Sequence, residues 1–360
     1  MPAEARLARL RLIRTSGVGP VTYRQLIARF GSADAALEAL PLLASRGGGR
    51  TPATPGEGEV QREIGSVERL GAAYWFVDDA DYPPLLRELE NAPPVVTTRG
   101  NRSLAHRTTI ALVGARNASA AACRFARGLA AALGEGGATV VSGLARGIDT
   151  QAHVASLGTG TIGVIASGID IAFPPENAAL QEEVATRGLL IAEQPPGGEP
   201  RARQFPYRNR IIAGLALGTV VVEAAPKSGS LITARLAADA GREVMAVPGS
   251  PLDPRAQGCN LLIREGATLV QSADDILECV RPIDPRAVRS PTFSYVASPP
   301  ADASDAERRD VAALLGPVPV GVDELIRQSG HSPASVQTVL LELELGGRLE
   351  RHAGGRVSLI

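Results

Sequence analysis

From Thr109 to about residue 280, short β-branched and apolar runs alternate with helix-like runs, and this alternation narrows the choice of fold most. The strand-like runs are Thr109–Val113, Ala138–Ser142, Gly160–Ala166, Leu189–Ala192, Thr219–Glu223, Glu243–Val247 and Ala267–Val270. Between and after them, the segments near 119–133, 148–157, 176–187, 208–217, 230–240, 257–264 and 273–280 carry helical patterning. Parallel neighbours need a long crossover, and a helix supplies it, so the pattern specifies a mostly parallel sheet covered on both faces. Runs such as Thr219-Val220-Val221-Val222 are nearly all apolar, as strands buried on both sides are. The reading is a doubly wound α/β domain.

The flanking regions are helical. Residues 3–44 read as short helices, with Leu7, Leu10 and Ile13 at helical spacing, a Ser16-Gly17-Val18-Gly19-Pro20 break, and a second helix from Val21 to Phe30 stopped by Gly31. A Gly-Val-Gly turn between two helices resembles a helix-hairpin-helix, whose turn amides bind phosphate. The competing reading is a packing domain that uses glycine only to turn, since the turn holds no cation. Residues 46–58 form a flexible loop, and a further helical segment and the apolar run Ala72 to Val77 lead into two proline-containing stretches read as a connector.

Past Arg281 a Pro/Ser-rich stretch reads as a linker. Helices then begin near Asp305 and cover Val322–Ser329, and a third is capped by Ser332 with Pro333 at its first position. A hairpin around Ala353-Gly354-Gly355 completes a winged-helix-like pattern. The third helix has no basic residue and only Gln337 and Thr338 to offer a base edge, which favours packing or protein contact over DNA reading. The expected organisation is therefore a helical SAM/helix-hairpin-helix-like domain at 1–75, a connector at 76–107, a Rossmann-like domain at 108–282, a linker at 283–303 and a winged-helix-like domain at 304–360.

With 44% apolar and 21% charged residues among 360, the chain has the composition of an ordinary folded protein with several domains. Its net charge of −1 means that any polyanion site is a local patch on a balanced background. Cys123, Cys259 and Cys279 form no CxxC pair, as in a reducing cytosol, and the histidines lack metal-ligand spacing. No apolar run approaches membrane-spanning length. The expectation is a cytoplasmic protein with no membrane insertion, no metal and no cofactor.

Ligands of an open parallel sheet bind at the carboxyl ends of its strands. Here those ends are rich in glycine and serine and carry Arg116, Arg146 and Lys227. The loop Ser142, Gly143, Leu144, Ala145, Arg146, Gly147 and the turn Ser228, Gly229, Ser230 both suit phosphate, because such turns offer free amides and the positive end of a helix. Between Gln204 and Ala234, Phe205 and Tyr207 interleave with Arg208, Asn209 and Arg210, a combination that suits a flexible polyanion with stackable bases. No GxGxxG follows the first strand and no GxxxxGK[ST] is present, which disfavours dinucleotide and P-loop sites. Asp149, Asp170, Glu193 and Glu223 stand at strand ends, where acid-base or metal chemistry competes with the commoner role of capping helices or pairing with the arginines. No Ser/His/Asp set is evident, and His153 reads as a packed helix residue.

The segments V-V-S-G-L-A-R-G-I-D-T-Q-A-H, F-P-P-E-N, F-P-Y-R-N-R-I-I-A-G-L, V-V-V-E-A, S-G-S-L-I-T-A and A-V-P-G-S resemble, collinearly over about 108–280, the signature series of DNA-processing protein A (DprA, or Smf). Phe173 stands where the family usually has tyrosine. The resemblance implies a non-enzymatic protein that binds single-stranded DNA, protects it in natural transformation and helps load the RecA recombinase. It also implies a homodimer through the Rossmann-like domain. The DNA contacts it implies are Arg116, the Ser142–Gly147 loop, Phe205, Arg208 and Arg210, with Asn209 and Ser228–Ser230 as additions beside Lys227. Two rivals remain at this stage: a nucleotide-hydrolysing enzyme of the lysine-decarboxylase-like type using Glu223, and a transcription regulator using the C-terminal domain.

Overall fold

A computed structural model describes residues 3–281, 302–352 and 354–360, so the expected linker lies outside the described residues except for Asp302 and Ala303. The chain divides into two compact units. One runs from residue 63 to 281, and the other combines the first 62 residues with the segment from 302 onward.

The larger unit is built on a nine-stranded sheet. Its strands are β1 (Ala73–Phe76), β2 (Val95–Gly100), β3 (Thr109–Val113), β4 (Thr139–Ser142), β5 (Thr161–Ile165), β6 (Leu189–Ala192), β7 (Gly218–Val221), β8 (Glu243–Ala246) and β9 (Thr268–Leu269). They lie in the order β1-β2-β6-β5-β4-β3-β7-β8-β9. From β6 to β9 every pairing is parallel, whereas β1–β2 and β2–β6 are antiparallel. Successive side chains of a strand face opposite ways, and β3 divides accordingly. Ala111 and Val113 join a core with Trp75, Leu86, Ile211 and Leu215, while Ile110 and Leu112 join another with Leu129, Leu133 and Ile276. Each such Leu or Ile, buried from water, contributes about 1.5–3 kcal/mol.

Helix entries follow the local chemistry. The Ser119 hydroxyl accepts from the Ala122 amide at 3.1 Å, opening the helix Ala120–Glu135. Ser272 and Asp275 make a reciprocal capping box before Ala273–Cys279. The sheet extends further toward the N-terminus than its sequence boundary at 108, because β2 lies within the stretch read as connector. Pro93 and Pro94 precede β2 and take no ladder position, so Val95–Gly100 can pair on both sides.

In the smaller unit, helices Ala3–Arg14, Pro20–Phe30 and Ala33–Arg46 pack around Leu12, Leu26 and Leu40. Gly31 ends the second helix in the left-handed region, at φ 76°. The C-terminal part has helices Asp305–Ala313, Val322–Ser329 and Pro333–Leu345 beside three antiparallel strands, Val320–Gly321, Leu349–His352 and Arg356–Leu359. The last helix packs on two sides. Val336, Val339, Leu340 and Leu343 join the winged-helix core, whereas Leu341 and Leu345 join the core of the N-terminal helices. Gln337 bonds to Gln25 at 3.0 Å, and Thr338 is buried. Glu342, 1% exposed, is held by Arg308 at 2.8 Å. This helix is a packing element, as its lack of basic residues suggested.

Candidate nucleic-acid interface

The strand order places a crevice between β3 and β7. From β3 the chain works outward through β4, β5 and β6 on one side, and β7, β8 and β9 fill the other. Loops leaving the carboxyl ends of β3 and β7 therefore diverge to opposite faces and open a crevice between them. A cleft of about 440 Å³ lies there. Of the residues singled out from sequence, Arg116, Ala145, Asp149, Phe205, Arg208, Asn209, Lys227, Ser228, Gly229 and Ser230 line it. Gly114 and Asn117, in the turn after β3, line it too, as do Thr233 and Arg255, which were not singled out.

The aromatic component sits on the helix Gln204–Leu215, which begins four residues before its sequence-based start near 208. Pro206 falls in its first turn, where a missing N–H costs nothing, so the F-P-Y segment is helical. The Arg116 guanidinium lies 5.2 Å from the Phe205 ring centroid. Phe205 also meets Phe173, with centroids 5.6 Å apart and planes tilted at 58°. Phe173 is 40% and Tyr207 60% exposed, so flat apolar surface stands next to cations in open solvent.

Arg208 and Arg210 are not surface groups. Arg208 is 6% exposed, and a Cβ on Gly143 would stand 1.5 Å from its Nη1, so glycine is required for the guanidinium to lie against the loop. Burial pushes its pKa down to about 10, against the attraction of Asp149, and the nearby Arg116 lowers it further. Arg208 shares the face of Ile211, Ile212 and Leu215, at the i+3, i+4 and i+7 spacing of a buried stripe. That spacing was the available signal. Arg210 is ion-paired with Glu193.

Four donors of the Ser142–Gly147 loop are committed inward. The amides of Gly143 and Ala145 donate to Asp149 Oδ2 at 3.1 and 3.4 Å, and the Leu144 amide donates to His153 Nε2 at 3.3 Å. The Ser142 hydroxyl donates to the Leu112 carbonyl at 2.7 Å. An aspartate thus occupies the place a phosphate would take on these amides. Leu144 is left-handed at φ 53°, and a Cβ on Gly147 would stand 2.3 Å from the Ala115 carbonyl oxygen. The fold therefore pins this loop against the one after β3. Burial raises the Asp149 pKa, opposed by Arg208 and the amides. Burial and Arg208 lower the His153 pKa to about 3, so His153 is neutral, its Nδ1 at 2.8 Å from Thr161 Oγ1.

The other strand-end acids are engaged too. Glu223 accepts from the Ser119 amide at 2.7 Å and lies 3.5 Å from Arg255, and Asp170 accepts from the Gly197 amide at 2.8 Å. Arg146 is exposed but ion-paired with Glu176. Asn209 Nδ2 donates to the Gly229 carbonyl at 3.4 Å, and the Ser228 hydroxyl caps the helix Gly229–Asp239. Among the described residues there is no helix long and apolar enough to cross a membrane, and no cluster of three or more His, Cys, Asp or Glu that could hold a metal.

The family model described as DNA recombination-mediator protein A matches residues 73–281. The chain belongs to the DprA family. A DprA-like N-terminal HHH domain matches residues 3–66, and the DprA winged helix domain matches 296–355. Protein Smf of Synechocystis is 32% identical over 95% of this chain and 96% of its own length. The X-ray structure of DprA from Streptococcus pneumoniae superposes with a TM-score of 0.59 at 39% identity, covering 62% of this chain and 78% of that one. DprA from Helicobacter pylori, whose structure was described for its single-stranded DNA binding mode, superposes at 0.53 with 26% identity over 57% of this chain and 94% of that one.

Proposed function

We propose that the switch-point cleft holds single-stranded DNA, and that the protein is a cytoplasmic, non-enzymatic mediator of natural transformation and recombination. The observation that carries this is the Arg116–Phe205 pair, a cation stacked on a ring beside the exposed Phe173. Such a surface takes the backbone charge on one partner and a base on the other, without reading sequence. Lys227 and the amino end of the helix Gly229–Asp239 add positive potential along the same rim. The Helicobacter pylori relative, described as binding single-stranded DNA, supports the same reading.

Two further roles belong to the proposal: protection of incoming DNA with delivery to the RecA recombinase, and a homodimer formed through the larger unit. Nucleotide hydrolysis through Glu223 is disfavoured, because that carboxylate already caps a helix and faces Arg255.

The deciding experiment titrates the protein with single- and double-stranded oligonucleotides of equal length at two salt concentrations. Single strands should bind more tightly, with affinity falling as salt rises. Equal affinity for duplex, or no salt dependence, would sink the proposal. Sedimentation with and without RecA tests the remaining roles.

A further inference from the structure

At the back of the cleft a buried cation stands without a partner. Arg208 lines the cleft and makes no hydrogen bond or ion pair within 4 Å among the described residues, and its Nε is sealed from solvent. The acid that acts on it, Asp149, has its Oδ2 engaged by the Gly143 and Ala145 amides. The charge nearby on Arg116 makes matters worse. A buried charge left unpaired is among the costliest arrangements in a protein, and an anion in the cleft would relieve it.

A second feature points at the same space. The helix Gly229–Asp239 begins at the wall of the cleft, with Ser228, Gly229 and Ser230 lining it and the exposed Lys227 beside them. Its amide dipoles favour negative charge at that end. At about 440 Å³ the cleft falls within the roughly 300–1,000 Å³ of small-molecule sites. The Phe205 ring lines the cleft and is in tilted contact with Phe173.

We propose that the cleft is a single-nucleotide pocket that also takes a free nucleoside monophosphate. Arg208 and the first turn of the helix Gly229–Asp239 hold the phosphate, and the base lies on Phe205. The inference rests on the cleft being the single-strand site and adds that one nucleotide, detached from any strand, occupies it. Free nucleotide and DNA then exclude one another, so the free nucleotide level regulates DNA binding.

The test displaces a fluorescent oligothymidylate from the full chain with thymidine monophosphate, thymidine or inorganic phosphate at constant ionic strength, and follows the monophosphate directly by calorimetry. The monophosphate should act at a concentration at least tenfold lower than either fragment. Arg208→Gln should weaken it at least tenfold. Ala225→Leu, which adds bulk to the cleft wall without removing charge, should do the same and covers the case in which the Arg208 variant fails to fold. A monophosphate no better than phosphate, with the oligonucleotide still bound, overturns the pocket and leaves the single-strand site standing. Failure of the oligonucleotide itself to bind strikes the broader reading, and calorimetry still judges the pocket. Undiminished monophosphate binding by both folded variants also overturns it.

Discussion

Gly143 and Arg208 occupy complementary space: the guanidinium fills the volume that any side chain on residue 143 would need, with Nη1 only 1.5 Å from where a Cβ would stand. Gly143→Ala should force the arginine or the loop to move. Overpacking of this kind costs about 1–3 kcal/mol. Urea denaturation should register that loss, and fluorescence anisotropy should show weaker single-strand binding. An unchanged midpoint would mean the arginine has free room elsewhere.

Arg116 and Phe205 act through different physics, and two variants separate them. Removing one phosphate contact with Arg116→Ala should lower the slope of log affinity against log salt by about 0.7. Phe205→Ala should cost about 1–3 kcal/mol of binding and leave that slope nearly intact. Titrations at several salt concentrations distinguish the two.

His153 makes the larger unit sensitive to acid. Its folded pKa, about 3, lies below the ordinary value of 6.5, so below pH 6.5 the unfolded chain binds a proton that the folded chain refuses. Stability contributed by the neutral ring is whole above pH 6.5 and declines as pH falls toward 3. At 1.36 kcal/mol per pH unit, the loss between pH 6.5 and pH 5 is about 2 kcal/mol from this residue alone. His153→Gln should flatten that part of the stability profile, measured by denaturant titration at each pH.

In the smaller unit the critical pair is Arg308 and Glu342. Arg308→Met would leave the buried carboxylate, among the described residues, with only Arg46, at 4.0 Å. Removing one partner of a buried pair costs about 3–5 kcal/mol, and the contact to Arg46 puts the expected loss near the lower figure. Thermal unfolding of the variant checks it. The double variant Arg308→Met with Glu342→Leu should recover much of that loss.

The alternation from Thr109 onward made the parallel sheet legible, since period and apolarity there are set by the sheet itself. β2 was not legible. Its Val-Val-Thr-Thr run follows two prolines and pairs antiparallel at a distance in sequence that local patterning does not encode. The rim loops were found because glycine and serine at strand ends have few other uses. Arg208 and Arg210 were read as polyanion contacts from their charge, whereas their helical spacing puts them on the buried side. Their burial means that Arg208→Ala combined with Arg210→Ala should lower stability as well as single-strand binding. Phe173 drew notice only as a substitution, because its partner Phe205 lies 32 positions away.

Gln25 and Gln337 hydrogen-bond across 312 positions, and Leu341 and Leu345 complete the core of the first three helices. During translation those helices emerge before the two leucines that complete their core. The unit from 63 to 281 has all its own strands before that segment is made. Loop closure over such a span is slow, and exposed apolar surface attracts other surfaces in the meantime. A nascent chain stalled before residue 333 therefore presents a finished middle and a first helical core still lacking Leu341 and Leu345.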